Sequence, residues 1–307
     1  MKTKIFLSAV TLILSANLSH ARVGSSGWTV MRRARSAKFK PVTTTPVMAV
    51  RGDLSGVFYN PGLLGLNPAM ELFLLSELGI TDDKYVGAVY GHPVRTGSWA
   101  VGILYYDGGS IELNWMDGGS VESETVKAQR DILALASYGH RLNPRLSVGL
   151  TLKIASSELF ERASATAFAA DIGAVYAPGI ENLSLGAAVQ NIGTSTEFIS
   201  RADPLPSAAH IGAVYWVDIG DYYITPGIDI TYLKGEERIA PEIGFEAGTG
   251  PISINLGHRI NVTEASWHFG ITWLQEKYDI AYSFLPGINL NPTHRVSIGY
   301  RFGWYEE

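Results

Sequence analysis

Two kinds of side chain in this 307-residue chain are placed to do chemistry, and histidine is the first. Past residue 21 there are six: His92, His140, His210, His258, His268 and His294. They are scattered, and none falls in a nucleophile-elbow or helical metalloprotease spacing. Gly52-Asp53-Leu54-Ser55-Gly56 is not Gly-x-Ser-x-Gly. His268 stands alone on a polar strand face, where it reads as a satisfied wall residue rather than a base. The chain has no cysteine, which excludes disulfides, thiolate metal sites and a cysteine nucleophile. No metal-ligand spacing and no phosphate-cradling loop occurs, so no metal and no cofactor is expected. The chain reads as a non-enzyme.

The second kind is charge. Lys153, Asp171, Asp229, Glu242, Glu246, Asp279, Arg295 and Arg301 each sit where polar and apolar residues alternate, on the polar side. A basic run precedes them: Arg22, Arg32, Arg33, Arg35, Lys38, Lys40 and Arg51, with no acid before Asp53. A basic segment entering an acid-biased, low-dielectric interior forms charge-assisted pairs that hold it there. Arg32, Arg33, Arg35 or Arg51 are the residues expected to dock on the acids. The alternative is that the interior charges pair only across strands and stiffen the wall.

The elements that carry these charges are strands. Tyr278, Ile280, Tyr282 and Phe284 alternate with Asp279, Ala281 and Ser283. Val296, Ile298, Tyr300, Phe302 and Trp304 alternate with Arg295, Ser297, Gly299, Arg301 and Gly303. Period-two alternation over about ten residues, ending in aromatics, is the pattern of a transmembrane strand with a greasy outside and a polar lumen. Fourteen candidate strands run from residue 70 to residue 304. The first (Glu71 to Glu77) and the fourth (Ile132 to Tyr138) alternate ambiguously, which leaves twelve as the other count. Linkers after even strands are mostly tight, as at Val94-Arg95-Thr96. Those after odd strands tend to be longer, as at Asp107–Ala128 and Ser156–Ser164. An even count with this rhythm predicts an all-β fold, a transmembrane antiparallel β-barrel. Pro226 and Pro241 lie mid-strand and predict local bulges. Asp107-Gly108-Gly109-Ser110 recurs as Asp117-Gly118-Gly119-Ser120, which reads as a flexible outer hairpin with two turns.

Composition agrees. Net charge is −5, too mild for a nucleic-acid binder, and 46% of residues are hydrophobic, too many for disorder. Lys2 and Lys4, the apolar run Ile5–Leu14, and Ser19-His20-Ala21 form a secretory signal peptide over 1–21, cut after Ala21. No later stretch has about 18 consecutive apolar residues. Residues 22–68 carry no strand pattern, and the barrel is expected over 69–307. The expected location is the bacterial outer membrane, in contact with its lipid.

Just before the first strand, Gly52, Asp53, Ser55, Phe58, Tyr59, Asn60, Pro61 and Leu64 match a signature: Gly-Asp, a small residue, an aromatic pair, then Asn-Pro-Ala-Gly-Leu. Gly62 stands where Ala is usual, and Leu63 where Gly is usual. The signature resembles that of FadL-like outer-membrane proteins, and their PorV/PorQ branch in particular. Tyr85–Val94 and Trp99–Asp107 are similar to that branch's first hairpins. The resemblance implies that the 22–68 segment is a hatch or plug folded into the barrel. For the PorV/PorQ type it implies a component of protein export, with secreted cargo proteins and export subunits as partners. For FadL-like channels it implies uptake of small hydrophobic ligands such as long-chain fatty acids. The export reading is preferred on the local motif, with the channel as the alternative.

Overall fold

The computed structural model describes residues 28–33, 36–38, 53–79, 83–198, 203–262, 266–287 and 292–304. Residues 1–21, read as a signal peptide, and Gly52, Arg35 and Arg51 lie outside them.

Fourteen strands close one barrel. They are β1 (Ala69–Leu78), β2 (Lys84–Val94), β3 (Gly97–Asp107), β4 (Gln129–Asn143), β5 (Leu146–Leu159), β6 (Ala163–Tyr176) and β7 (Leu183–Ser195). The second half is β8 (Ala208–Tyr215, resumed at Val217–Ile219), β9 (Tyr222–Leu233), β10 (Arg238–Thr249), β11 (Ile252–Arg259), β12 (Trp267–Leu274), β13 (Tyr278–Leu285) and β14 (Thr293–Trp304). Each strand pairs antiparallel with the next, and β14 pairs with β1. Closure leaves no unpaired edge, which a bilayer demands because lipid cannot satisfy backbone N–H and C=O groups.

Alternation places the faces. On β13, Tyr278, Ile280 and Tyr282 are exposed while Asp279, Ala281 and Ser283 are buried. Leu74, Ile103, Ile154, Ile254, Ile271 and Ile298 belong to the exposed outer surface, which is lipid-facing in a transmembrane barrel. Near the tight turns Tyr90, Trp99, Tyr278, Tyr300 and Phe302 form a girdle. Tyr90 stacks with Phe302 at 6.1 Å, and Tyr278 with Tyr300 at 5.0 Å. Amphipathic rings at the end of an apolar band suit the membrane–water interface.

The lumen is polar over only part of its circumference. β9–β14 present Thr225, Asp229, Ser253, Asn255, Thr272, Asp279, Ser283 and Ser297 inward. β1–β4 present Phe73, Leu75, Tyr85, Val89, Leu104, Leu133 and Leu135, and β5–β7 present Ala155, Ala165, Ala167, Ala169 and Ala188. A polar interior all round is therefore corrected. The apolar arc packs against the N-terminal segment instead of water, and this made β1 and β4 ambiguous by alternation.

The expected outer hairpin is present in Asp107–Ala128, where Ser110–Asp117 pairs with Ser120–Lys127 outside the barrel sheet. Its turn uses Gly118 and Gly119, both at positive φ (55° and 94°), as a two-residue hairpin turn requires. Two further corrections concern the strands. Much of Ser156–Ser164 is strand, because β5 runs to Leu159 and β6 starts at Ala163. The bulges fall at Met70/Glu71, Arg141/Asn143 and Ala170/Ile172 rather than at the two prolines. Pro226, with no N–H to give, faces the place where β8 is interrupted at Trp216. Pro241 lies just past the end of β11, so its missing donor breaks no rung, while its carbonyl accepts from Ile260 N at 2.8 Å.

Candidate functional site

The site is the contact between the N-terminal segment and the barrel wall. The segment lies in two levels. Residues 54–66 sit near the tight-turn end, and residues 28–33 sit near the long-loop end.

The lower level is two 3-10 turns, each capped by a residue of the sequence signature. Asp53 caps Leu54–Phe58, its Oδ1 accepting from Ser55 N (3.1 Å) and Ser55 Oγ (2.6 Å). Asn60 caps Pro61–Leu66, its Oδ1 accepting from Gly62 N at 2.9 Å. Its Nδ2 donates to Ala174 O on β6 at 2.9 Å, so one side chain both folds the turn and fixes it to the wall. Pro61 opens its turn at the position where a missing N–H costs nothing. Phe58 packs on Phe73 at 5.9 Å, and Leu64 is fully buried. Tyr59 Oη accepts from Ser36 N at 2.8 Å, tying the two levels together.

The wall is shaped to receive this backbone. Gly139, Gly149 and Gly173 form one row across β4, β5 and β6. A Cβ on Gly149 would strike the Pro61 carbonyl, and one on Gly173 the Asn60 side chain. Beside the row, Ser98 Oγ and Ser147 Oγ each donate at 2.6 Å, to Leu64 O and Gly62 O. Close backbone approach is the physical use of glycine in a strand.

The upper level begins at Trp28, whose φ of 63° is left-handed, followed by helix α1 (Thr29–Arg32). Val30 N donates to Asp131 Oδ2 at 3.1 Å, and Tyr85 Oη donates to Val30 O at 3.2 Å. Trp28, Val30 and Met31 join Leu54, Val57 and Phe58 in one apolar cluster with the β1–β6 arc.

Two charged clusters pin the levels. Arg33 Nε donates to Glu77 Oε1 at 2.8 Å, pairs with Asp83, and stands 5.5 Å from the centre of the Tyr106 ring. Glu77 is shared with Arg295 (Nε, 2.5 Å), whose Nη1 also donates to Ser36 O at 3.2 Å. In the second cluster Lys38 Nζ is 2.7 Å from Asp279 Oδ2 and 3.3 Å from Asp53 Oδ2. Arg301 Nη2 bonds the same Asp279 oxygen at 2.5 Å, and its Nε is 3.9 Å from Glu71 Oε2. Burial opposes the charge on Lys38, but Asp279, Asp53 and Glu71 outweigh it and raise its pKa. The same balance, with Glu77 and Asp83 outweighing burial, raises that of Arg33.

The other charges pair within the wall. Lys153 bonds Asp171 (2.6 Å) and Asn191 (2.8 Å). Asp229 accepts from Thr231 Oγ1 at 3.1 Å, Glu242 pairs with Arg259, and Glu246 accepts from Tyr223 Oη at 2.8 Å. Arg32 is exposed. Glu71, Glu77 and Asp131 receive the segment yet escape a reading by alternation, because apolar Phe73, Leu75 and Leu133 share their inward faces, and Asp83, which also receives it, lies just before β2. Among the described residues no group of three or more His, Asp or Glu is arranged to hold a metal ion.

Three solved structures are similar in shape. A TodX monoaromatic hydrocarbon channel, a deltaS2 mutant, matches 92% of this chain and 100% of its own with TM-score 0.57 at 12% identity. The Pseudomonas putida toluene transporter TodX matches 90% of this chain and 98% of its own, with TM-score 0.53 at 12% identity. A Pseudomonas aeruginosa FadL homologue matches 94% and 99%, with TM-score 0.51 at 12% identity. At 12% identity the likeness is one of fold, the β-barrel that these three structures share with the chain. No protein-family model matches the chain, and no curated protein matches its sequence.

Proposed function

We propose that this chain is an outer-membrane channel for small hydrophobic molecules, with residues 22–68 as a hatch inside the barrel and 1–21 as the cleaved signal peptide that exports it. The observation that carries this reading is the apolar arc of the lumen, facing Trp28, Phe58 and Leu64 of the hatch. A lumen built for water-soluble solutes needs no Phe73, Leu75, Leu104 and Leu133 turned inward. A hydrophobic solute leaving water gains about 25 cal/mol for each Å² of apolar surface it buries there. The small side chains of Ala155, Ala165, Ala167 and Ala169 widen the same arc. The solved barrels of this shape include a toluene transporter and monoaromatic hydrocarbon channels, which favours the same solute class. The hatch charges hold the closed state, and passage requires the hatch to shift from the wall. The test is uptake of a radiolabelled long-chain fatty acid or monoaromatic hydrocarbon by bacteria lacking their own hydrophobe channels. Expression of this chain should restore uptake, and no gain over an empty vector would contradict the reading.

A second reading, a PorV/PorQ-type component of protein export, is favoured by the hairpin Ser110–Lys127. It carries Trp115, Met116 and Val121 exposed beyond the barrel sheet, the kind of apolar surface that binds other proteins. Capture of secreted cargo and export subunits by the tagged barrel, abolished by deleting that hairpin, is its test.

A further inference from the structure

Glu71 on β1 and Asp279 on β13 lie on either side of β14 and lean over the same residue, Gly299. A Cβ placed on Gly299 would stand 2.7 Å from Glu71 Oε1 and 2.9 Å from Asp279 Oδ1. Both carboxylates are fully buried, and neither of these two oxygens has a hydrogen-bond partner among the described residues. The other oxygen of each is committed. Glu71 Oε2 accepts from Leu54 N at 3.1 Å, and Asp279 Oδ2 takes Lys38 and Arg301. Two buried, ionised carboxylates, each with an oxygen within 2.9 Å of this one point and unpartnered among the described residues, repel each other and carry a burial cost. One proton between them removes both penalties by turning one oxygen into a donor for the other.

The charge count agrees. Among the described residues, the groups that face this point are Asp53 and Lys38 from the hatch, Glu71 from β1, Asp279 from β13 and Arg301 from β14. Among these, three acids meet two bases, so a single proton makes the described cluster neutral.

We propose that Glu71 and Asp279 share one proton over Gly299, and that this proton keeps the hatch latched to the wall at Leu54 and Lys38. This inference rests on reading the N-terminal segment as a hatch. Protonated, the pair is a neutral joint. Deprotonated, it places two carboxylates face to face beneath the first hatch turn. The latched state holds one proton more than the released state, so latching weakens as pH rises and strengthens as it falls. The barrel would thus bind a proton as a ligand that controls hatch release.

The experiment is amide hydrogen exchange over residues 53–58 in the full-length barrel in lipid nanodiscs, from about pH 5 to about pH 9, corrected for the intrinsic pH dependence of exchange. Protection of Leu54 and its neighbours should fall with rising pH, by at most about tenfold per pH unit, the limit for one linked proton. In Glu71→Gln, which mimics the protonated form, protection should no longer change with pH. Infrared spectra of the wild type provide the second reading, independent of whether the variant folds. A protonated-carboxyl C=O band should be present at low pH and vanish in the same one-proton step. Protection at every pH with no such band overturns the shared proton and leaves the hatch reading intact. Unprotected exchange of 53–58 at every pH overturns the hatch reading and this proposal with it.

Discussion

Lys38 Nζ lies 2.7 Å from Asp279 Oδ2, joining the N-terminal segment to a barrel strand near the other end of the chain. Both side chains are buried, and the same carboxylate oxygen also receives Arg301 at 2.5 Å. A buried pair is a weak source of net stability, but breaking it from one side leaves an uncompensated charge.

Lys38→Met should therefore destabilise docking of the N-terminal segment on the wall by about 3–5 kcal/mol. Asp279→Asn alone should also be costly, because it weakens the partner of both Lys38 and Arg301. The double variant should lose less than the sum of the two, a coupling that a double-mutant cycle on hatch proteolysis would measure.

Gly149→Val should displace the N-terminal segment without unfolding the barrel. Its side chain would occupy the path of Pro61 while β5 keeps its pairing with β4 and β6. The expected result is a barrel that retains heat-modifiable migration on a gel but conducts more in planar bilayers. Unchanged conductance would show that Pro61 does not run along the glycine row.

Asn60→Ala removes the cap of the turn Pro61–Leu66 and its bond to Ala174 O. Loss of such a cap costs about 1 kcal/mol. Protection of amides 61–66 should fall, while Asp53→Asn should preferentially weaken 54–58.

Ile280 and Ile298 are register partners on the outer face of β13 and β14. Ile298→Arg should destabilise the membrane-inserted barrel by about 2–4 kcal/mol if the position lies near the bilayer midplane. Ser297→Ala, one residue away but facing the lumen, removes a buried hydroxyl with no partner among the described residues and should cost at most about 1 kcal/mol. The contrast, read in denaturant titrations from vesicles, checks the inside–outside assignment.

The barrel was legible because most strands carry one greasy face. Tyr278 to Phe284 and Val296 to Phe302 announce the lipid side by alternation alone, and closure then follows from a run of such strands with no edge left over. The site was half legible. Asp53 and Asn60 stand in a recognisable signature, and Asp279, Arg295 and Arg301 fall on the polar face of clear strands. Glu71, Glu77 and Asp131 were hidden because their neighbours Phe73, Leu75 and Leu133 are apolar on the inward side as well. Periodicity cannot label a strand that is greasy on both faces. The glycine row was equally invisible, since Gly139, Gly149 and Gly173 are aligned by the register of three strands, which a one-dimensional pattern does not contain. Lys38 was one basic residue among seven, and only the fold selects it.

The most direct measurement of the central claim is mass spectrometry of the tagged barrel, gently solubilised from outer membranes, reading proteins and lipids from one sample. A channel for hydrophobic molecules should come down without stoichiometric protein partners and with a fatty acid or similar hydrophobe bound near one per barrel. Enlarging Ala167 to Phe, on the apolar arc, should remove that ligand. A barrel that brings secreted proteins and export subunits, and no hydrophobe, would contradict the channel account.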